Sequence, residues 1–345
     1  MKIYFIMLIL IFICSFIKNK CIQKRVIFSI FFLVSSLRYI YLGTDTFSYI
    51  SYFRRFSRST FKELFLKQQS IERGFAIFNK VLGLISKNER YFLVMIAIIV
   101  MILITKFIYD NSKIPWFSFF LFLSLGFFIA SLNILRQVLA VLIMINTLDY
   151  IRKRNIKKFL FYYFIAISIH ITAAIFILAY ILYPIKVNLN YIYFTLLITG
   201  LIHLYADKIL ILLFTFSNKY SLRYTSHLNS GQGKGMLIMI VGVLSLGYVL
   251  EKLEIKRDRN VMFYHMLTLA VFLQIIALKF SLFVRVVNYF SIGLIIFIPN
   301  IVSKIERKDL KFLVVTTICI ITSFYLYIIL YESSSGVVPY RFLFQ

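Results

Sequence analysis

Residues 91–109 read YFLVMIAIIVMILITKFIY, an apolar run whose one charged residue, Lys106, lies near its end. A helix that crosses a bilayer needs about 20 predominantly apolar residues, so this run predicts a membrane span. The whole chain has the same character, because 61% of its 345 residues are hydrophobic and only 15% are charged. In lipid every backbone polar group must be paired internally, which leaves helices as the structure of such runs.

Eleven runs of this kind predict an all-α, polytopic integral membrane protein with about 10–12 transmembrane helices in a single membrane domain, 1–345. The run 208–216 is too short to cross alone, and we expect it to pair with 190–205 as a short crossing or a re-entrant hairpin. Residues 3–17 lack a small-residue cleavage site, so we interpret them as the first span and not as a signal peptide. The eleven runs are 3–17, 26–42, 91–109, 115–132, 134–150, 159–182, 190–205, 235–250, 261–279, 286–303 and 312–331.

The net charge of +26 would suggest nucleic acid as the partner of a soluble protein. Here the basic residues concentrate in short loops between apolar runs, which is the positive-inside pattern, so we expect no nucleic-acid partner. We expect these loops in the cytoplasm, with both termini and the segments 43–90 and 217–234 outside. The basic loop residues are Lys18, Lys20, Lys24, Arg25, Arg152, Lys153, Arg154, Lys157, Lys158, Lys252, Lys256, Arg257, Arg259, Lys304, Arg307, Lys308 and Lys311.

The outer segment 43–90 has a pattern of its own. Thr60 and Glu63 have the spacing of a capping box at the start of a helix. Apolar residues then recur at helical spacing, which predicts an amphipathic helix lying on the membrane surface. These residues are Ile71, Phe75, Phe78, Val81, Leu82 and Ile85.

On this topology, polar residues from distant parts of the chain fall at one level, the outer edge of the membrane. Charged residues at membrane depth are costly and are candidates for function. Simple alternatives exist for some of them: Arg38 extending to the interface, Asp45 capping a helix, and Glu72 belonging to a solvated face. The set is Arg38, Asp45, Glu72, Arg73, Asn133, Arg136, Gln137, Arg223, Arg285, Asn288, Tyr289 and Arg341.

Outward-facing arginines beside aromatic residues suit a lipid diphosphate that carries a sugar chain. The guanidinium group binds phosphate oxygens in a fixed fork, and tyrosine is well suited to the headgroup level and to sugar rings. His170, in the middle of FIAISIHITAAIF (164–176), is either a neutral histidine bonded between helices or a group lining a cavity. No other histidine has metal-ligand spacing to it, and Cys14, Cys21 and Cys319 show no metal or redox spacing, so we expect no metal and no cofactor.

Several stretches, taken in order, resemble the EpsG-type family of bacterial polysaccharide polymerases, which are related in role to the Wzy O-antigen polymerases. The resemblance extends over roughly residues 30 to 300, although 190–280 matches only in hydrophobic character. The stretches are Arg38 with GTDTFSYISYF at 43–53, ERGF at 72–75, SLNILRQVLA at 131–140, RKRNIKKF at 152–159 with His170 and Ala173, and RVVNYF at 285–290.

The resemblance implies a membrane glycosyltransferase of O-antigen, capsule or exopolysaccharide biosynthesis, with a GT-C-like, metal-independent architecture. Its substrate would be oligosaccharide repeat units on undecaprenyl diphosphate, presented outside the bacterial cytoplasmic (inner) membrane. Membrane lipid is a further expected partner, and a chain-length regulator protein is a candidate partner. The lipid diphosphate would be the leaving group.

On this hypothesis, each predicted site residue has a role. Arg136 and Arg285 would hold the diphosphate, and Asp45, or else Glu72 or His170, would be the general base. Arg38 could instead keep Asp45 ionised as its ion-pair partner. The sugar platform would be Tyr49, Tyr52 and Tyr289, and the other predicted substrate-binding residues are Arg73, Asn133, Gln137, Asn288 and Arg341.

Three other functions compete with this interpretation. An O-antigen ligase uses the same donor, but its large outer loop usually comes late in the chain, whereas here the longest outer segment is 43–90. A flippase or other transporter needs charged residues along a path through the membrane, and the predicted interior is poor in charge. A membrane acyltransferase is a weaker alternative, because it would need a histidine at a cavity and a cytoplasmic thioester donor.

Overall fold

The computed structural model describes residues 1–66, 71–215, 233–251, 260–332 and 335–343. Within these ranges the chain is helical, with no strand and one isolated bridge, which confirms the predicted all-α class. Two short 3-10 helices, Ile171–Phe176 and Ser281–Phe283, join longer ones. The α-helices are α1 (Lys2–Cys14), α2 (Lys20–Ser36), α3 (Thr46–Arg58), α4 (Phe61–Leu66), α5 (Arg73–Ile85), α6 (Glu89–Asn111), α7 (Pro115–Ser124), α8 (Phe127–Asn133), α9 (Leu135–Ile145), α10 (Leu148–Arg152), α11 (Ile156–Ile169), α12 (Ile177–Leu182), α13 (Leu189–Thr215), α14 (Lys234–Leu250), α15 (Val261–Ala277), α16 (Val284–Ser291), α17 (Leu294–Ser303) and α18 (Lys308–Tyr331).

Some predictions concern residues outside the described ranges. These are the outer placement of Arg223, the histidine His227, most of the segment 217–234, and the basic loop residues Lys252, Lys256, Arg257 and Arg259.

Four stretches of the described chain are long and apolar enough to cross a membrane, and a fifth is the bent pair α7 and α8. The four are Glu89–Asn111, Leu189–Leu212, Val284–Ser303 and Lys308–Tyr331. Shorter apolar helices account for other predicted runs: Lys2–Cys14, Ile171–Leu182, Lys234–Leu250 and Val261–Ala277. The count of 10–12 crossings remains a prediction, because several runs that look continuous in sequence form shorter or broken helices.

Two of these breaks matter for the site. The α7 and α8 axes meet at 58°, and Gly126 between them has φ +84, a left-handed conformation that favours glycine. The predicted span 159–182 is also not one helix, because α11 ends at Ile169 and His170 is extended, with φ −152 and ψ 117. His170 therefore lies in a helix break and not inside a continuous span.

The prediction for the run 208–216 is wrong for its described residues, 208–215. They neither return into the membrane nor pair with 190–205, because α13 continues without interruption from Leu189 to Thr215. The apolar character falls near Asp207 and Lys208, but the helix carries these charged residues without a turn. The Asp207 carboxylate binds Lys279 Nζ at 3.2 Å, which offsets part of the charge at that point.

In the segment 43–90, outside residues 67–70, the structure describes three complete helices, α3, α4 and α5, as the pattern predicts in part. The capping box is confirmed: Thr60 N–H donates to Glu63 at 2.9 Å, and Glu63 N–H donates to the Thr60 hydroxyl at 3.2 Å. The amphipathic helix is α5, which buries Phe75 and Leu82. Val81 and Ile85, predicted on the same apolar stripe, are exposed.

Glycines let α5 approach its neighbours closely. A Cβ at Gly83 would overlap the Ser57 side chain on α3, and a Cβ at Gly74 would overlap Ser168 on α11. Because backbones can approach this closely only where a side chain is missing, these two contacts fix α5 against both helices. The position of α5 in turn fixes Glu72, which immediately precedes it.

The C-terminal segment holds the loop that follows α2. Gly43 N–H donates to the Gly336 carbonyl at 3.1 Å, and Thr44 N–H donates to the Ser335 carbonyl at 2.9 Å. Further along, Tyr39 N–H donates to the Arg341 carbonyl at 2.8 Å. The C-terminal segment thus contacts the GTD stretch at 43–45, and these contacts position Asp45.

Candidate functional site

The structure brings together many of the predicted site residues from five separate parts of the chain. Two ion pairs form the centre of this group: Glu72 with Arg136, and Asp45 with Arg285. We call the group of charged and polar residues around these pairs the arginine cluster. Its members are Asp45, Tyr49, Glu72, Arg136, Gln137, His170, Thr172, Arg285 and Tyr289.

Glu72 connects α5, α9 and the break after α11. One carboxylate oxygen accepts from the Arg136 guanidinium, and the other accepts from Ile171 N–H at 3.0 Å. The two side chains are 23% and 19% exposed, so solvent screens the pair only in part. Both oxygens of Glu72 therefore have donors, which fixes the position of the carboxylate.

Asp45 is held by its backbone, which leaves its carboxylate available. Its N–H donates to the Asn133 side-chain oxygen at 2.9 Å, at the end of α8. Although Asp45 precedes α3, its side chain makes no capping hydrogen bond. The carboxylate instead lies 3.6 Å from the Arg285 guanidinium, and the two side chains are 33% and 47% exposed. The capping alternative for Asp45 is thus not what the structure shows.

Arg285 is also fixed through its backbone. Its carbonyl oxygen accepts from the Gln137 side-chain amide, and Gln137 is only 2% exposed. Gln137 follows Arg136 on α9, so one turn of α9 contacts both ion pairs. Asn288, one turn further along α16, lines a small apolar cleft with Gln137 and Val138. These contacts engage the Gln137 side chain with the Arg285 backbone, and both amide side chains with the apolar cleft.

His170, Thr172 and Tyr289 form a hydrogen-bonded row behind Glu72. The Thr172 hydroxyl lies 2.6 Å from His170 Nδ1 and 3.2 Å from the Tyr289 hydroxyl. Tyr289 is fully buried, so its ring lies in the core of the protein. His170 is half-buried beside Glu72, at the end of α11, and its role stays a prediction.

Tyr49 is a buried aromatic member of the arginine cluster. It is 6% exposed, and its ring packs edge-on against Phe75, with the ring centroids 5.9 Å apart. Burial raises the pKa of the Tyr49 hydroxyl, although the Arg136 guanidinium beside it acts in the opposite direction. Tyr52 is half-buried and stacks on Phe56, so it is the most accessible of the three predicted platform tyrosines.

Three predicted arginines lie apart from the ion pairs. Arg38 is 2% exposed and donates to the Leu132 carbonyl oxygen, so it does not serve as the ion-pair partner of Asp45. Arg73 is exposed at the first turn of α5. Arg341 is also exposed, and its backbone carbonyl pairs with Tyr39.

Sequence reasoning missed Thr172 and Arg90. Thr172 joins His170 to Tyr289, and its one signal is its position two residues after the histidine. Arg90 donates to the carbonyl oxygens of Ser36 at 3.0 Å and Arg38 at 2.6 Å. It immediately precedes the predicted span 91–109, and an arginine at a span boundary is ordinarily attributed to topology.

The fold and the arginine cluster define a class of protein: the described residues form a helical chain in which some helices are long and apolar enough to span a membrane, and charged residues gather near the ends of several helices. Within that class, the model of the EpsG family matches residues 22–342, so this chain belongs to the EpsG family. The match includes residues 190–280, where the motifs alone gave only hydrophobic character. Comparisons with curated proteins and with solved structures gave no match.

Proposed function

We propose that this protein polymerises a bacterial polysaccharide by joining oligosaccharide repeat units carried on undecaprenyl diphosphate. The reaction would take place at the outer face of the cytoplasmic membrane. The helices would have a GT-C-like architecture. EpsG family membership supports a polysaccharide polymerase, and the apolar helices support a membrane location. The observation that carries the proposal is the pair of arginine–carboxylate contacts in one cluster.

The two arginines are suited to a diphosphate. Arg285 is 47% exposed and its contact with Asp45 is long, at 3.6 Å, so its guanidinium can bind an incoming anion with little loss. Arg136 is less exposed and is held by Glu72. On this proposal Arg285 captures the diphosphate, and Arg136 contributes positive charge that stabilises the leaving group as the glycosidic bond breaks.

The carboxylates have different environments, and this favours Asp45 as general base. Glu72 has donors on both oxygens and therefore suits the role of positioning Arg136. The Asp45 carboxylate makes one long contact and is one-third exposed, so an acceptor sugar hydroxyl can approach it. Binding of the diphosphate would also draw Arg285 away from Asp45 and leave the carboxylate free to accept a proton.

The proposed reaction is a substitution at the anomeric carbon of the donor sugar. The acceptor hydroxyl oxygen forms a bond to the anomeric carbon of the donor sugar, and its proton passes to Asp45. The bond between the anomeric carbon and the diphosphate oxygen breaks, and its electron pair leaves with the lipid diphosphate. His170 lies beside Glu72, and its Nδ1 contacts the Thr172 hydroxyl, which holds the ring next to the arginine cluster.

On this proposal, Tyr52 is the one of the three predicted platform tyrosines that contacts the sugar. Tyr49 and Tyr289 are buried, so neither offers a ring face to a saccharide. Both are instead buried members of the arginine cluster. Asn133 and Gln137 likewise act on Asp45 and Arg285 through backbone groups.

The experiment that tests the function is a gel ladder of surface polysaccharide from a deletion strain, with and without the restored gene. We expect the ladder to disappear in the deletion strain, with single repeat units still reaching the surface lipid, and to return with the gene. Polymer that accumulates on undecaprenyl diphosphate would identify a ligase instead. Repeat units trapped in the cytoplasm would identify a flippase, and either result would contradict the proposal.

A further inference from the structure

A second feature lies beside the arginine cluster, where the loop after α2 meets the start of α6. It is an open pocket of about 470 Å³, which we call the Tyr39 pocket. Its lining residues are Tyr39, Ile40, Lys87, Asn88, Glu89, Arg90 and Leu343. None of these residues takes part in the two ion pairs of the arginine cluster.

The Tyr39 pocket is held together by specific hydrogen bonds. Arg90 donates to the carbonyl oxygens of Ser36 and Arg38, which ties the start of α6 to the end of α2. Asn88 accepts from Arg90 N–H at 2.7 Å and so caps α6. Leu343 N–H donates to the Leu37 carbonyl at 2.8 Å, which fixes the third side. A site with walls tied in this way is formed before any ligand arrives.

The charge around the Tyr39 pocket is positive. Glu89 pairs with Arg54, so its charge is balanced. Lys87 is exposed and has no ion pair among the described residues. The segment 43–90 as a whole has nine lysines and arginines against four aspartates and glutamates. Such an excess attracts anions and raises their local concentration.

Aromatic rings join the Tyr39 pocket to the start of α3. The centroids of Tyr39 and Tyr41 are 5.8 Å apart, and those of Tyr41 and Phe47 are also 5.8 Å apart. Phe47 is 63% exposed and lies two residues after Asp45. Aromatic rings present flat apolar faces, which suit the C–H faces of sugar rings. These contacts form a row of aromatic rings that runs from Tyr39 in the pocket to the start of α3.

We propose that the Tyr39 pocket is a second saccharide-binding site, which holds an anionic segment of the polysaccharide chain outside the arginine cluster. Lys87 would bind the carboxylate or phosphate group of the saccharide, and Tyr39 would pack on a neighbouring ring. This inference rests on the proposed polymerase function. It adds a site that retains the chain between successive additions, and it restricts the substrate to acidic saccharides.

The test uses the full-length protein in nanodiscs of phosphatidylcholine, with labelled oligogalacturonate as acidic probe and a maltooligosaccharide of matched length as neutral probe. We expect the acidic probe to bind and added salt to weaken its binding. Lys87→Gln should weaken it about tenfold, the size of a charge-assisted hydrogen bond. Lys62→Gln removes the same charge from an exposed position on α4 and should have no effect. Tyr39→Ala should weaken the binding of the acidic probe as well.

Three results would overturn the second site: equal binding of the neutral probe, an equal loss in Lys62→Gln, or loss of binding when anionic lipid is added to the nanodiscs. The last result would show that the pocket takes a lipid headgroup. In cells, Lys87→Gln should shorten the polysaccharide ladder, and a ladder of unchanged length would also contradict the proposal.

The proposed role of the arginine cluster and the proposed second saccharide-binding site can be disproved independently of each other. Arg136→Ala should abolish the ladder while leaving the binding of oligogalacturonate intact. A normal ladder from Arg136→Ala with intact probe binding would contradict the proposed role of the arginine cluster and leave the Tyr39 pocket standing. A missing ladder together with no probe binding by the wild-type protein would do the reverse.

Discussion

The Arg285 guanidinium lies 3.6 Å from the Asp45 carboxylate, although one residue opens α16 and the other precedes α3. Each is fixed by an amide side chain that holds its backbone: Asn133 binds the N–H of Asp45, and Gln137 binds the carbonyl of Arg285. These amides lie four residues apart, on α8 and α9. One short stretch, 133–137, therefore positions both members of this ion pair and supplies Arg136 to the other.

Arg136→Ala should abolish the polysaccharide ladder while leaving the amount of protein in the membrane unchanged. The reason is the loss of charge stabilisation of the leaving diphosphate, which is worth about 10²–10³ in rate for one such donor. The ladder and an immunoblot of membranes measure the two quantities. Arg58→Ala is the matched control, because Arg58 is exposed at the end of α3 with no ion pair among the described residues. A normal ladder from Arg136→Ala would remove the assignment to the diphosphate.

Asp45→Asn should reduce polymerisation by about 10²–10⁴, the usual contribution of a general base, with little change in stability. The substitution keeps the shape of the side chain and the backbone hydrogen bond to Asn133, and it removes the proton acceptor. The rate of polymer formation in isolated membranes measures the effect. Asp309→Asn, in an exposed ion pair with Arg307, is the control. If Asp45→Asn polymerised at the wild-type rate, Glu72 or His170 would have to be the base.

Glu72→Gln should affect both activity and stability, unlike Asp45→Asn. Glu72 accepts from Arg136 and from Ile171 N–H, and the neutral amide can replace only one of these contacts well. We expect a lower melting temperature of the purified protein in detergent and a weak ladder. A loss of activity with an unchanged melting temperature would indicate that Glu72 acts in chemistry and not in positioning.

Gly74→Ala should destabilise the protein by about 1–3 kcal/mol, the usual cost of an overpacked contact. A Cβ there would overlap the Ser168 side chain and lie 2.5 Å from the Ser168 carbonyl oxygen, so α5 and Glu72 must shift. Gly242→Ala is the matched control, since a Cβ at that helical glycine meets no atom within 4 Å. Thermal unfolding in detergent compares the two, and equal melting temperatures would contradict the close contact of α5 and α11.

The orientation of the chain gives a further prediction. In a cysteine-free background, Lys62→Cys should react with a membrane-impermeant maleimide added to intact cells, whereas Lys157→Cys should react only after the membrane is opened. Both lysines are exposed, so accessibility within the protein does not limit either reaction. Labelling of Lys157→Cys in intact cells would reverse the topology that the basic loops predict.

The sequence predicts the helical class and the capping box, because these depend on composition and short spacings, and it singles out most of the residues that the structure gathers in the arginine cluster. It does not predict which arginine pairs with which carboxylate. Arg38 and Asp45 are close in sequence, yet Arg38 turns into the core and Arg285 takes the contact. The breaks at Gly126 and His170 were also missed, because an apolar run gives no sign of where its backbone stops being helical.

The burial of Tyr49 and Tyr289 in the arginine cluster is also not predictable from the sequence. Tyr49 and Tyr289 are polar-tipped residues in the expected motifs, and sequence favours them as sugar-binding groups. The structure buries both, because their rings fill space between helices. Burial depends on the packing of distant segments, and no local pattern in GTDTFSYISYF or RVVNYF records it.

The most direct measurement is reconstitution of the purified protein in liposomes with a chemically defined repeat unit on undecaprenyl diphosphate. Our account predicts saccharide chains of increasing length, with one undecaprenyl diphosphate released for each new linkage. Arg136→Ala in the same liposomes should release none. Intact repeat units that only move across the bilayer, or polymer that forms without release of lipid diphosphate, would contradict the central claim.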